Sequence, residues 1–556
     1  MKKIRITYLI IACLFIGGSL HAQVWKAKAI SDLNKGEFAK VEQTISKLSE
    51  AEKGKHAWLI DSLQAMMSRI RDDFRLSREE GKKLLLEKVP GATDKQIESW
   101  KQKKYLETRI IDGEERWFRK TISNFVLLNR ELFTAEMIKD KKKEYAKAHR
   151  NCENILSQPV GVNHTCDWKK VNASFFIEVP ADAVPAGEVI KAWLPYPFDN
   201  GRQRNFQLLS TSSPATHSEG SLHHTVYMEQ KAVKGQPTRF EMKFSYEVGA
   251  QVFPQEEILK SLKPYDKQSD LYKKYTVQEL PHMLVNKQMK TLAQKIVGGE
   301  TNPVLQASMI YDWISANYPW AGAIDYSTIP CMPQYVLDIQ HGDCGQVTLL
   351  YISMLRSLGI PARWESGWVF DETGWTGYHD WGEIYFEGIG WVPTDVSAGR
   401  DTYGERYSDF FKTCTDAYRL ASNEGIGGEL SPKKQYIRRE TVDFQAGEVE
   451  WKGGNLTKWK SNLVIDKIST EADEMKALLA SIKKTYAPDS RVAIYELEAK
   501  KADQQWIIKG KVDKAELKAN VLQELKKANV AVVDSIAVLE FTKEKPWGLV
   551  KLSIAS

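Results

Sequence analysis

Beyond its first residues, this 556-residue sequence lacks long apolar runs. No later segment reaches the roughly 18 uninterrupted apolar residues of a membrane helix, so no transmembrane span is expected. An excess of one charge sign is also missing. The formal net charge is +6, which gives no argument for a nucleic-acid partner at this size. There is no zinc-type Cys/His spacing, no phosphate-cradling glycine loop and no EF-hand loop, so neither metal nor cofactor is expected. A solenoid-type repeat is absent too. Cysteine is scarce, six in all, and one of the six becomes the centre of the functional reading.

The start of the chain does not belong to the fold. Lys2, Lys3 and Arg5 precede the apolar stretch Ile6–Gly18, and "SLHAQ" places Ala22 before a cleavage point at Gln23. Residues 1–22 read as a secretory signal peptide, which implies a secreted or periplasmic protein. Cys13 in "IIAC" loosely resembles a lipid-attachment box, but "LFIGG" continues the apolar run, so lipoprotein anchoring is the weaker reading. Three of the 78 basic residues lie in this leader, against 72 acidic residues in the chain. The mature net charge is therefore about +3.

Five cysteines remain, and an exported protein can oxidise them. An odd number leaves at least one unpaired. Cys152 and Cys166 flank "SQPVGVNHT" and could form a local bridge. Cys331 and Cys414 could form a second, leaving Cys344 free. The alternative is that several are reduced and buried, since spacing does not assign connectivity.

The texture of the sequence changes along the chain. Residues 23–165 are rich in Lys, Glu and Leu at helical spacing and predict a helical region. Residues 166–255 carry short alternating or aromatic runs broken by Gly, Pro, Asn and Ser, as in "TRFEMKFSYEVGA", and predict a β-sandwich. Residues 256–425 return to helix and then to strands, an α+β pattern. A β-rich extension or linker (426–470) and a small α+β module (471–556) complete a multidomain α+β chain.

In "HGDCGQVTLLYISMLRSLGIPARW", Asp343 is a good N-cap, placing Cys344 in the first helical turn. The helix dipole and free backbone N–H groups there favour thiolate and predict a lowered pKa. The same N–H groups can stabilise an oxyanion. His379 begins "HDWGEIYFE" and Asp395 ends "GWVPTD", with a turn-like "EGIG" between them. If Phe386 pairs with Gly390, position 395 faces 381, and His379 and Asp395 share a face within reach of each other. Pairing Phe386 with Trp391 would separate them. Cysteine at a helix start, then histidine and aspartate on paired strands, is the pattern of an activated nucleophile.

These segments, "GDCGQVTLLYISMLRSLGIPARWESGW" and "YHDWGEIYFEGIGWVPTDVS", resemble the core of the transglutaminase-like superfamily over roughly residues 270–420. The resemblance implies a papain-like triad: Cys344 as nucleophile, His379 as base and acid, Asp395 orienting the imidazole. In eukaryotic cross-linking members an aromatic side chain helps hold the oxyanion, and Trp320 and Trp313 lie upstream of Cys344. Trp320 follows "NYP" and is the one available in a loop; Trp313 reads as core. Trp381 and Trp375 are candidates to wall a cleft.

The neighbours have plainer readings. His341 is expected in solvent, Gln346 turned away from the nucleophile, and Arg363 in a structural ion pair. Asp380 and Glu383 could compete with Asp395, but Asp380 points opposite to His379 on an extended chain. The expected function is an exported thiol hydrolase, a cysteine protease acting on protein, peptide or glycopeptide. The alternatives are an acyltransferase that cross-links proteins through the same thioester, and an inert binding protein. Nothing in the sequence fixes the oligomeric state.

Overall fold

The computed structural model describes residues 20–218, 222–398, 409–502 and 505–539. The basic and apolar leader and Cys13 lie outside them. The chain forms two compact units: one from residues up to Asp167 with Asn172–Asp466, the other from Trp168–Val171 with the chain from Lys467 onward.

The first unit opens with short helices, several begun by capping boxes such as Ser49 with Glu52 and Ser77 with Glu80, which satisfy otherwise orphaned first-turn amides. One segment departs from the helical expectation. "TRIIDGEERW" forms a hairpin, strand Thr108–Ile111 against Glu114–Trp117. Asp112 and Gly113 take φ +50° and +86°, the positive pair of a two-residue turn that Asp-Gly favours over helix.

Two five-stranded sheets follow. One runs Cys414–Thr415, Thr238–Val252, Thr165–Val179, Lys460–Thr470, with Gln203–Thr211 also paired to Thr238–Val252. The other runs Gly454–Asn455, Glu448–Trp451, Val189–Pro195, Thr225–Lys231, Ala215–Ser218. The stretch 426–470 supplies strands to both sheets.

The bridges Cys152–Cys166 and Cys331–Cys414 do not form; all five of these described cysteines, Cys344 included, are free thiols. Cys152, Cys166 and Cys414 are enclosed in the apolar core as small hydrophobes. Burial pushes the Cys166 and Cys414 thiols up to about 11. Cys331 lies apart, at the N-cap of helix Met332–Ile339.

The segment that positions the site packs helix Cys344–Ser357 against a four-stranded antiparallel sheet, ordered Gly390–Thr394, Thr376–Phe386, Ala362–Phe370, Arg419–Glu424. Every residue of that helix is buried, as its nearly all-round apolar sequence requires. In the hairpin Phe386 pairs with Gly390 and Gly382 with Thr394. This is the register that puts positions 379 and 395 on one face.

The second unit is a small α+β body. Helices Glu471–Tyr486 and Ala515–Lys527 share a core with a three-stranded sheet, Tyr495–Ala502, Gln505–Val512 and Val532–Val538, through Leu479, Ile482, Ile508 and Val521. The last two strands are parallel, and helix Ala515–Lys527 is the crossover that parallel pairing demands.

Candidate active site

The helix carrying Cys344 starts in a capping box. Asp343 accepts a hydrogen bond from Gln346 N, and the Gln346 side chain accepts from Asp343 N at 3.1 Å. Gln346 is thereby committed to the cap. Asp343 is also tied sideways, its Oδ1 accepting the Tyr326 hydroxyl at 2.6 Å.

Cys344 Sγ contacts Asp380 Oδ2 at 3.7 Å. Among the described residues it makes no hydrogen bond to His379. Asp380 does point opposite to His379, as the strand alternation requires, but that face is the one turned to the start of the Cys344 helix. Its other oxygen accepts Gln445 Nε2 at 2.7 Å, and Tyr326 Oη lies 3.4 Å from Oδ2. The packing is tight enough that a Cβ on Gly345 would lie 2.5 Å from Asp380 Oδ2, so only glycine fits beside the thiol.

This surrounding reverses the expected thiol chemistry. Burial, with Asp380 and Asp343 adding like-signed charge, pushes the Cys344 thiol well above its usual range. Desolvation and two neighbouring carboxyl groups act against the pull of the helix N-terminus on the thiol. Asp380 is likewise raised, by burial and by the nearby Asp443 and Asp343.

His379 and Asp395 are brought together. His379 Nε2 lies 2.6 Å from Asp395 Oδ2. Asp395 is buried, and burial alone would raise it, but His379 and Arg419 together hold its carboxyl far below the usual range. Arg419 Nη1 donates to the same Oδ2 at 2.7 Å. The second oxygen accepts from Ser397 N, Ser397 Oγ and Ala398 N at 3.0–3.1 Å. These bonds fix the carboxylate, and the carboxylate fixes the imidazole with Nδ1 as the nitrogen left for proton exchange.

Trp381 is not a cleft wall. It is 1% exposed, donates its indole N–H to buried Glu365, and has the Arg202 and Arg419 guanidinium groups 5.6 and 5.1 Å from its ring centroid. Its ring stacks with that of His379, centroids 5.9 Å apart, so it backs the imidazole. Trp375 is 60% exposed but does not line the site; its ring folds toward Gly377. His341 is buried, with Nε2 3.3 Å from Lys104 O, because the turn before the helix is covered by the helical region. Arg363 does form ion pairs, with Glu383 and Glu424 at 2.6 Å each, and Trp313 packs against the core.

Cys344, 9% exposed, opens onto a cavity of about 550 Å³. Trp320 and Tyr378 line it, 48% and 46% exposed, and Asp380 forms part of its wall; His379 does not. The remaining walls come from sequence-distant stretches: 68–73, 119–120, 439–446 and 457–458.

The fold and the site together define a cysteine-centred α+β core. Residues 290–396 match the Transglutaminase-like superfamily, and this segment of the chain is a transglutaminase-like core. An uncharacterized protein of Haemophilus influenzae is 27% identical over 168 residues, 24% of this chain and 44% of that protein. YebA of Bacillus subtilis, also uncharacterized, is 27% identical over 139 residues, 22% of this chain and 19% of its own length. The chain therefore spans less than half the length of these curated relatives. A cysteine protease candidate from Cytophaga hutchinsonii has a solved structure that covers 55% of this chain and 94% of its own, at 14% identity and a TM-score of 0.37.

Proposed function

We propose that this chain is an exported cysteine hydrolase that cleaves an amide bond of a protein or peptide through a thioester on Cys344. The observation that carries the reading is the anchored His379–Asp395 pair, held at 2.6 Å on the strand that packs against the Cys344 helix. A carboxylate that fixes an imidazole in this way is what a cysteine nucleophile requires of its base.

The chemistry starts from a neutral thiol. Sγ leaves Asp380 and passes its proton to His379 Nδ1 as the substrate carbonyl enters the cavity. The thiolate adds to the carbonyl carbon, and the oxyanion takes up the free N–H groups of the first helical turn. Trp320, at the cavity mouth, can cover the same oxygen. The imidazolium returns its proton to the leaving amine, leaving an acyl-thioester. Water, deprotonated by the imidazole, resolves the thioester and regenerates the thiol. Asp395 stabilises the imidazolium throughout. Half-exposed Trp320 and Tyr378 suit an extended peptide and also a glycopeptide.

Incubating the wild-type protein with a peptide library, with and without a primary amine, tests this directly. Hydrolysis gives new carboxyl termini that do not depend on the amine and are absent in Cys344→Ala. Products amidated by the added amine would instead identify an acyltransferase. Turnover that survives in Cys344→Ala would refute Cys344 as the nucleophile, and no turnover at all would leave an inert binding protein. Export rests on the leader pattern; Gln23 as the first residue of mature protein recovered outside the cytoplasm supports it.

A further inference from the structure

Asp380, the carboxyl group against the thiol, is held from outside the transglutaminase-like segment 290–396. Gln445, 4% exposed, stands in the loop 439–446, which forms part of the cavity wall with Cys344. Its amide nitrogen donates to two successive residues of one strand, to His379 O at 2.9 Å and to Asp380 Oδ1 at 2.7 Å. A primary amide has two N–H donors, and these two acceptors use both. The His379 carbonyl can only accept, so the nitrogen of the amide, and not its oxygen, faces the strand. The Gln445 main chain is itself pinned. Its N–H donates to Glu440 Oε2 at 2.9 Å, and its carbonyl accepts Trp368 Nε1 at 3.1 Å. The amide is therefore delivered to one place.

His379 and Asp380 send their side chains to opposite faces of the strand. The bond to His379 O anchors Gln445 on the base strand. The other bond takes Asp380 Oδ1, which leaves Oδ2 toward Cys344 Sγ at 3.7 Å. A donor to a carboxylate favours its charged form, so Gln445 favours the charge on Asp380 that opposes a thiolate. Other groups face the same pair. Asp443, Asp343 and Tyr326 act on Asp380, and Asp343 and Asp395 act on the thiol. Lys120 in turn acts with Asp343, and Arg438 with Asp443. All of these stay in place when only the amide of Gln445 is changed.

We propose that Gln445 is a positioning residue of the reaction at Cys344: anchored on the base strand, it holds Asp380 against the thiol and so restrains formation of the thiolate. This rests on the hydrolase reading for the reaction it serves, not for the restraint itself.

Labelling of Cys344 by iodoacetamide across pH, mapped by peptide mass spectrometry with no substrate present, reads the restraint apart from turnover. Gln445→Met keeps the length of the side chain and removes both donors, so the pH of half-maximal labelling rate is expected to fall by about half a unit or more. Gln445→Glu sets another carboxyl group against Asp380 and is expected to move it upward. Beside Asp380→Asn, Gln445→Met should add no further shift, because the charge it acts through is gone. If Gln445→Met does not melt cooperatively, Gln445→Asn takes its place; its amide falls one methylene short of the strand, and the same fall is expected. A profile that does not fall in the donor-deleting variant, one that does not rise in Gln445→Glu, or a fall that persists beside Asp380→Asn would overturn the proposal. Turnover is read separately on wild type. The expected shifts in a chain that cleaves nothing support the restraint and overturn the hydrolase reading; cleavage without the shifts overturns only the role of Gln445.

Discussion

Asp380 Oδ2 lies 3.7 Å from Cys344 Sγ, so the nucleophile candidate rests against a carboxyl group and not against an imidazole. Burial pushes both toward their neutral forms; a charged Asp380 opposes ionisation of the thiol, while the S–H donated by Cys344 favours the Asp380 carboxylate. Asp380→Asn removes one of the two charges and leaves an amide that can donate to a thiolate. The pH profile of Cys344 alkylation by iodoacetamide should then shift to lower pH than in wild type. An unchanged profile would mean that Asp380 does not govern the thiol.

The Arg419–Asp395 bond gives a second test. Arg419→Met leaves a buried carboxylate with one cation fewer, which typically costs about 3–5 kcal/mol. The depressed Asp395 carboxyl contributes stability that is present above its unfolded value and lost as pH falls through the folded one. Losing Arg419 moves that folded value up. Melting curves should show a lower Tm and an acid transition that begins at higher pH, with Arg419→Lys recovering part of both.

Asp443 makes the opposite pH argument. Burial raises its carboxyl to about 7 despite nearby Arg438. Between roughly pH 4 and 7 the folded state therefore holds a proton that the unfolded state has released, and stability falls as pH rises through that window. Asp443→Asn should flatten this part of the Tm-versus-pH curve relative to wild type. A difference between the two that does not change across the window would contradict the assignment.

Gly345→Ala probes the close approach beside the thiol. Its methyl group would meet Asp380 and the Tyr326 hydroxyl. Overpacking of this kind costs about 1–3 kcal/mol. Urea denaturation should show a lower midpoint, and iodoacetamide labelling of Cys344 should change with it because Asp380 must move.

Much of the centre was legible in the sequence because it depends on local rules. The Asp343 cap follows from N-cap chemistry. The His379–Asp395 face follows from strand alternation once the turn register is fixed. What escaped was set by tertiary packing. Strand alternation puts Asp380 opposite His379, but nothing local shows that the Cys344 helix lies on that side. Arg419, Tyr326 and Gln445 reach the site through packing, and none sits in a motif. The expected disulfides do not form: Cys331 stands at a helix N-cap apart from the core that encloses Cys414, and spacing encodes neither placement. The hairpin Thr108–Trp117 did carry a signal, Asp-Gly between β-branched and aromatic residues, hidden by the Lys- and Glu-rich stretch around it.

The most direct measurement is mass spectrometry of the protein acid-quenched within milliseconds to seconds of mixing with a cleaved peptide. A nucleophilic Cys344 requires an acyl adduct mapped to that residue. The adduct should be absent in Cys344→Ala, and turnover should drop at least about 10³-fold in Cys344→Ala and about 10²–10⁴-fold in His379→Ala. Cleavage that proceeds with no adduct on Cys344, or that persists in Cys344→Ala, would contradict it.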